Sequence, residues 1–189
     1  AGHGALEADS YYDASVKTGM QAYRKGMEYL VNKLNSKMLI YLSIAPNIAS
    51  GPYAHMKRIW TDSFEATWTT SSTMNAVNYG WWQCYVYNYI DADHLVLGYY
   101  DANRSFTGVA SEGVNRLRVS SGIASGTLIT GDDFSSSNTT LLNRAKALYQ
   151  NQDILDINKN TGNAFRPVEG NTGESTTNLY TRQVGNYFY

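Results

Sequence analysis

The chain has 189 residues, and its 15 Lys and Arg side chains nearly balance its 16 Asp and Glu side chains. This length is enough for one domain with a sizeable core, and the balanced charge argues against a nucleic-acid partner or a polybasic membrane surface. No apolar run is long enough for a transmembrane helix, and the single cysteine, Cys84, excludes an internal disulfide framework.

The first predicted elements are an amphipathic helix and two short strands. Apolar residues recur at three- and four-residue steps over residues 16–34, so they line one face of a helix. Asp13 or Ser15 is the expected cap at its start. Residues 37–43 (KMLIYLS) form a nearly continuous apolar run, which is typical of a strand buried on both faces. Residues 56–60 are a weaker strand candidate.

Helices and apolar strands alternate through the middle of the chain. We expect helices within residues 64–87, over residues 112–123 and around residues 141–148. Residues 94–98 (HLVLG) and 127–130 (TLIT) are two further short buried strands. This order predicts a parallel sheet wrapped by helices, in which active-site residues follow the carboxyl ends of the strands.

The composition changes near residue 161. Gly, Asn, Thr and Ser become frequent, and residues 179–180 and 187–189 have an aromatic, strand-like pattern. A strand of this kind needs partners, and few residues remain to supply them. We therefore predict one domain over residues 1–160 and the beginning of a β-rich domain over residues 161–189.

The composition favours a neutral ligand rich in hydroxyl groups. The chain has 16 Tyr and 4 Trp, while only 16% of its residues are charged. Aromatic rings stack on the apolar faces of sugars, and neutral polar side chains hydrogen-bond sugar hydroxyls. A tyrosine-rich surface on an extracytoplasmic protein explains the composition equally well. We expect a secreted or periplasmic location.

The first candidate catalytic residue is Asp62, which follows a predicted strand and lies four residues after Arg58. A carboxyl group in an aromatic setting, here beside Trp60, is suited to protonating a leaving-group oxygen. The alternative interpretation is that Asp62 caps the helix that follows, and spacing alone favours this cap.

Two pairs of carboxylates lie close to predicted strands. Asp91 and Asp93 are two residues apart, so in an extended segment both face one side and can hold sugar hydroxyls or a cation. They are also common turn residues. Asp132 and Asp133 follow residues 127–130 and have the same two interpretations, of which a turn or helix cap is favoured.

The remaining chemical side chains give weaker signals. His3, His55 and His94 lack the spacing of metal ligands, so we expect no metal site and no cofactor. His3 lies between two glycines and is the histidine best placed to meet a ligand. Cys84 lies in an aromatic segment typical of a packed helix face. The tryptophans either stack on sugars or belong to the core, and they are Trp60, Trp68, Trp81 and Trp82.

Four segments resemble motifs of the α-galactosidases of glycoside hydrolase families 27 and 36, the melibiase clan. Residues 89–98 (YIDADHLVLG) resemble the family segment W-N-D-P-D-M-L-V-I-G, and residues 126–133 (GTLITGDD) resemble its A-P-L-x-x-x-x-D-L strand. Residues 147–158 (ALYQNQDILDIN) are similar to A-L-L-x-N-x-x-V-I-A-I-N-Q-D. Arg58 and Asp62 match the Arg-x-x-x-Asp that ends the sixth barrel strand.

The resemblance implies a (β/α)₈ TIM barrel followed by an antiparallel β-domain. It also implies hydrolysis of terminal α-galactosides with retention, by one carboxylate that attacks the anomeric carbon and another that acts as acid and then base. Asp62 falls on the acid/base and Arg58 on the arginine that helps to bind the sugar beside it. Asp93 falls on the strand-seven aspartate that contacts the sugar, and Asp91 is its structural neighbour.

The family's nucleophile has no counterpart among the matching residues. It lies in a K-x-D motif at the end of strand four, and no such motif occurs before Lys37. The opening around His3 resembles the loop that follows this strand. We therefore expect the chain to hold strands five to eight of a partial catalytic domain, with strands one to four on a companion chain. Departures at Ala92 and His94, and in residues 43–46, leave the sugar undecided.

Two other functions remain open from the sequence. One is a non-catalytic carbohydrate-binding or surface module that uses Tyr and Trp stacking. The other is a structural half-barrel that assembles as a homodimer, because an open parallel sheet leaves its edges exposed. An oligosaccharide or glycoside is the expected partner of the enzyme and of the binding module.

Overall fold

The computed structural model describes residues 8–60, 62–63, 66–93, 95–135, 138–159, 164–168 and 179–189. Contacts within the chain divide it into two compact units, Ala1–Arg58 and Ile59–Tyr189. The predicted boundary between residues 160 and 161 lies outside the described residues. The predicted domains, residues 1–160 and 161–189, therefore stay a prediction.

The first unit has a helix and two short parallel strands around a small core. Its elements are α1 (Gly19–Leu34), β1 (Tyr41–Leu42), a 3₁₀ turn (Gly51–Tyr53) and β2 (Met56–Arg58). Strands β1 and β2 pair in parallel, as predicted for this part of the chain. Tyr23 and Met27 of α1 pack with Ile40 in the core, and the Tyr23 hydroxyl lies 2.5 Å from Ser50 Oγ.

Helix α1 begins later than its apolar pattern indicates. Its N-cap is Thr18, which forms a capping box with Gln21, so the expected caps Asp13 and Ser15 are wrong. Asp13 instead accepts hydrogen bonds from the backbone and the hydroxyl of Ser15 and completes a turn before the helix. In this capping box the Gln21 backbone donates to the Thr18 hydroxyl, and the Thr18 backbone donates to the Gln21 side chain.

The apolar run at residues 37–43 is not buried on both faces, contrary to the prediction. Ile40 packs in the core of the unit, but Leu39 is 80% exposed and Met38 is 64% exposed. Only Tyr41 and Leu42 are regular strand. Hydrophobic content alone therefore overestimated both the length and the burial of this strand.

The second unit combines helices with short strand pairs. Its described helices are α2 (Thr67–Gly80), a 3₁₀ helix (Trp81–Tyr85), α3 (Glu112–Ser125), α4 (Thr139–Tyr149) and α5 (Gln152–Lys159). Its described strands are β3 (Tyr89–Asp91), β4 (Gly98–Tyr100), β5 (Phe106–Val109), β6 (Arg166–Pro167), β7 (Tyr180–Thr181), β8 (Gln183–Val184) and β9 (Tyr187–Phe188). Strand β4 pairs with β5, β6 with β7 and β8 with β9, each antiparallel.

The helices predicted within residues 64–87, over 112–123 and around 141–148 are confirmed as α2, α3 and α4. Their starts follow ordinary capping chemistry in two cases. Ser111 accepts a hydrogen bond from the backbone of α3, and Asn138 accepts one from the backbone of α4. Helix α5 was not predicted.

The apolar runs at 94–98 and 127–130 form less regular strand than expected. Leu95 and Thr130 make an isolated parallel bridge, in which the Leu95 N–H donates to the Ile129 carbonyl at 2.6 Å. The parallel direction agrees with the prediction. Gly98 instead begins the β4–β5 hairpin, which the sequence did not predict. The described strands do not close a barrel, and the partial TIM barrel stays a prediction.

Helix α3 packs on the core of the second unit through a mixed stripe. The core contains Leu95, Leu97, Val119, Leu141 and Ala145. The buried stripe of α3 includes Asn115, Arg118, Val119 and Gly122, whereas the apolar Leu117 is exposed. No helix in the part of the chain described here is long and apolar enough to cross a membrane.

Candidate functional site

The predicted site residues of the second unit lie at the end of β3. The Ile59 N–H donates to the Asp91 carbonyl at 2.9 Å, so the segment that leads to Asp62 runs beside this strand. Asp91 and Asp93 are both buried. Asp93 has a φ of 76°, a left-handed conformation that few residues other than glycine adopt. Such backbone strain persists where surrounding contacts enforce it, and it often occurs at functional sites.

One hydrogen bond joins the two loops that carry the predicted carboxylates. The backbone N–H of Ser63 donates to Asp93 Oδ2 at 2.5 Å, and both residues are buried. Asp62 is the neighbour of Ser63 in the chain, and its side chain is exposed. The structure therefore places an exposed carboxyl group directly beside the residue that binds a buried carboxylate.

Asp62 does not cap the helix that follows it. The N-cap of α2 is Ala66, four residues later, and no side chain accepts a capping hydrogen bond there. The capping interpretation is therefore wrong. The reason is that the chain needs several residues after Asp62 to reach the start of α2, which places its carboxylate too early to meet the first turn.

The side chain of Arg118, on α3, also binds the segment that contains Ser63. Its side chain is only 1% exposed, its Nη1 donates to Ser63 Oγ at 3.2 Å, and its Nη2 donates to the Ala66 carbonyl at 3.0 Å. Two residues of the loop are thus fixed by one planar guanidinium. Neither Ser63 nor Arg118 was predicted from the sequence, because the two residues meet only in the folded chain.

Two exposed tryptophans, one before α2 and one in it, lie near one face of this helix. Trp60 is half exposed, and its indole N–H donates to Ser72 Oγ at 2.5 Å. Trp68 is 69% exposed and lies one helical turn before Ser72, so both rings lie near the same helix face. Trp81 instead packs against the core cluster around Cys84 and Ile90, as a core residue does.

The remaining predicted residues are distributed elsewhere. Arg58 ends β2 in the first unit and is buried. Its neighbour Lys57 donates to the Arg58 carbonyl, and burial lowers the pKa of the Lys57 ammonium, with a further contribution from the Arg58 charge. His3 and His94 lie outside the described residues.

Asp132 and Asp133 both accept hydrogen bonds from backbone N–H groups. Asp132 accepts hydrogen bonds from the backbone of Leu97 at 2.7 Å and of Gly98 at 3.0 Å, and from the Tyr100 hydroxyl at 2.8 Å. Burial, together with this hydrogen bond, raises the pKa of Tyr100 to about 12. Asp133 accepts from the backbone and the hydroxyl of Ser135, which confirms the turn interpretation for Asp133.

A cavity of about 640 Å³ lies between α2 and α3, but none of the predicted site residues lines it. Within the described ranges, no group of three or more His, Cys, Asp or Glu side chains is arranged to hold a metal ion.

No protein-family model matches this chain, and no curated protein matches it.

Proposed function

We propose that this chain supplies the acid/base part of a retaining glycoside hydrolase that cleaves terminal α-galactoside-type linkages. The observation that supports this most strongly is the 2.5 Å hydrogen bond from the Ser63 backbone to Asp93 Oδ2. It connects the loop of Asp62 with the end of β3, which are the two segments that resemble the family's strand-six and strand-seven motifs. Proton transfer requires a carboxyl group that can reach substrate, and the exposed Asp62 directly precedes Ser63, whose backbone this bond holds.

The proposed reaction has two steps. Asp62 gives its proton to the glycosidic oxygen as the bond to the anomeric carbon breaks, while a carboxylate on the companion segment forms a covalent bond to that carbon. Asp62, now ionised, takes a proton from water as the water oxygen attacks the anomeric carbon. The sugar leaves with its original configuration, and the nucleophile is regenerated.

The buried carboxylates have a binding role in this proposal. A carboxylate offers about four lone-pair positions, so Asp93 can accept from Ser63 and also from a sugar hydroxyl. Asp91, two residues before Asp93, would have a structural role beside it. The exposed ring of Trp60 would stack on the sugar. Sugar-binding roles for Arg58 and His3 stay expectations from the sequence. A secreted or periplasmic location and a companion segment with strands one to four belong to the same proposal.

The substitution Asp62→Asn tests the acid/base role in the enzyme completed with the segment that carries the nucleophile. We expect hydrolysis of unactivated α-galactosides to fall by about 10²- to 10⁴-fold, because the leaving oxygen is no longer protonated. Hydrolysis of aryl α-galactosides with good leaving groups should retain much of its first-step rate, since these groups depart without a proton.

The matched control is Asp156→Asn, an exposed aspartate of α5 that pairs with Lys159 at 3.0 Å. It should leave both rates unchanged. Equal losses on the two substrate classes in Asp62→Asn would remove the acid/base role from this residue.

A non-catalytic carbohydrate-binding module is the second candidate, and the exposed rings of Trp60 and Trp68 favour it. Both rings lie near one face of α2, where they can stack on a neutral sugar without any contribution from Asp62. This candidate differs from the first in one outcome, because a binding module gives no hydrolysis in the completed protein even when sugar binds.

A further inference from the structure

A pocket of about 200 Å³ in the second unit brings two arginines together. Arg166 begins β6 and is exposed, whereas Arg182 lies between β7 and β8 and is only 5% exposed. Hydrogen bonds in both directions between the backbones of Arg182 and Tyr189, at 3.1 and 3.0 Å, fix the backbone of the buried arginine. One buried and one exposed arginine thus line the pocket.

Aromatic rings form much of the remaining wall. Trp81 and Tyr85 meet edge to face with their ring centroids 6.2 Å apart, and Phe188 lines the pocket with them. Tyr85 and Phe188 are largely exposed, so they stand at the mouth. Thr181 adds a neutral hydroxyl to the wall. The pocket can therefore cover the apolar part of a small ligand while its arginines meet a polar group.

The charge of this pocket is positive. No acidic side chain is among the described residues that line it. Burial lowers the pKa of the Arg182 guanidinium, because the charged form loses contact with water, although a guanidinium remains protonated at neutral pH. Two cations in a confined space attract an anion more strongly than either does in bulk water.

We propose that this pocket binds a small oxyanion, a carboxylate or phosphate group, between Arg166 and Arg182. The planar fork of a guanidinium matches two oxygens of either group, and such charge-assisted hydrogen bonds are stronger than neutral ones. The aromatic mouth accommodates a ring or chain that carries the anion. The pocket shares no residue with the proposed catalytic site, and this inference does not rest on the proposed function.

Calorimetric titration of the full chain at low ionic strength tests the proposal, with galacturonate and inorganic phosphate as the anions and galactose as the neutral probe. We expect at least one anion to bind with one-to-one stoichiometry, and added salt to weaken the binding. Arg166→Gln should weaken it about tenfold, because one charge-assisted contact is lost. The relative affinity of the two anions identifies whether the natural group is a carboxylate or a phosphate.

Arg116→Gln is the matched control, since Arg116 is an exposed arginine that pairs with Glu112 on α3. It should leave anion affinity unchanged. Arg182→Gln should weaken binding further where it folds, but the exposed Arg166 decides the test because its replacement leaves the core intact.

Equal anion affinities of Arg166→Gln and Arg116→Gln would overturn the proposal, as would the absence of binding by both anions. Binding that falls in Asp93→Asn but not in Arg166→Gln belongs to the proposed catalytic site and would also overturn it.

Discussion

At the scale of single residues, Asp132 links two segments of the second unit. Its two oxygens accept hydrogen bonds from the backbones of Leu97 and Gly98 and from the Tyr100 hydroxyl. The neutral form of Tyr100 is favoured in the folded state, and its pKa rises to about 12, first through burial and then through Asp132. The stability that this provides is present below the ordinary pKa of 10.0 and is lost as pH rises through about 12.

Asp132→Asn should therefore lower the free energy of unfolding at neutral pH by about 1.5–3 kcal/mol, because bonds to a charged acceptor are lost. The pKa of Tyr100 should fall towards its ordinary value. Urea denaturation measures the first effect, and the ultraviolet absorbance of tyrosinate during alkaline titration measures the second.

Asp133→Asn provides the comparison, since Asp133 is an exposed neighbour that binds only Ser135 among the hydrogen bonds described. Its effect should stay below about 1 kcal/mol. Equal destabilisation by the two substitutions would show that Asp132 does not organise this region.

The carboxylates of the candidate site were partly predictable from sequence. Asp91 and Asp93 were singled out because they lie two residues apart beside a predicted strand, and both are buried in the structure. Ser63 and Arg118 were not recognisable, because they meet across 55 residues of chain. A buried arginine on a helix is also hidden from a pattern that searches for apolar residues. The structure further separates Asp62 from the cap of α2, which spacing alone had favoured.

At the scale of elements, helices followed from sequence more reliably than strands. The pattern of 3.6 residues per turn located α3 and α4, and α2 lies within residues 64–87, where a helix was expected. The β4–β5 hairpin escaped prediction because its turn depends on a side chain. The Asp101 carboxylate accepts from the backbones of Asn103 and Ser105, at 2.8 and 2.9 Å. Hydrophobic periodicity contains no signal for such a local bond.

Two glycines of α3 provide a direct test of how this helix packs. A Cβ added at Gly122 would lie 2.9 Å from side-chain carbons of Leu95 and Leu128, whereas one added at Gly113 would meet nothing within 4 Å. We expect Gly122→Ala to destabilise the protein by about 1 kcal/mol or more through overpacking. Gly113→Ala should stabilise it by about 0.5–1 kcal/mol through helix propensity.

Thermal unfolding of the two variants beside the parent protein measures this difference. A Gly122→Ala variant at least as stable as Gly113→Ala would show that α3 does not press against Leu95 and Leu128 in the way described.

At the scale of the whole molecule, the chain consists of two compact units, Ala1–Arg58 and Ile59–Tyr189. The sequence indicated the alternation of helices and strands and the parallel direction of two strand pairings. The division at residue 58 was not indicated, because no Gly- or Pro-rich linker marks it. A hydrophobic pattern indicates the type of a local element, and it does not indicate how many strands join one sheet.

The proposed function involves residues, elements and the whole molecule. A hydrogen bond between Ser63 and Asp93 joins the segments that follow β2 and β3 in the chain. The complete reaction also needs a nucleophile from a companion segment. In this proposal Asp62 acts as the acid/base of a retaining enzyme. Its role can be examined separately from overall activity, because loss of the acid/base changes which nucleophile is able to complete the second step.

The most direct measurement is the product that the completed enzyme with Asp62→Gly forms from an activated α-galactoside in the presence of azide. Azide needs no general base and attacks the covalent intermediate from the face that the leaving group vacated. We predict that azide accelerates turnover and that nuclear magnetic resonance identifies the product as the α-galactosyl azide. The absence of acceleration by azide, or formation of the β-galactosyl azide, would contradict the assignment of Asp62.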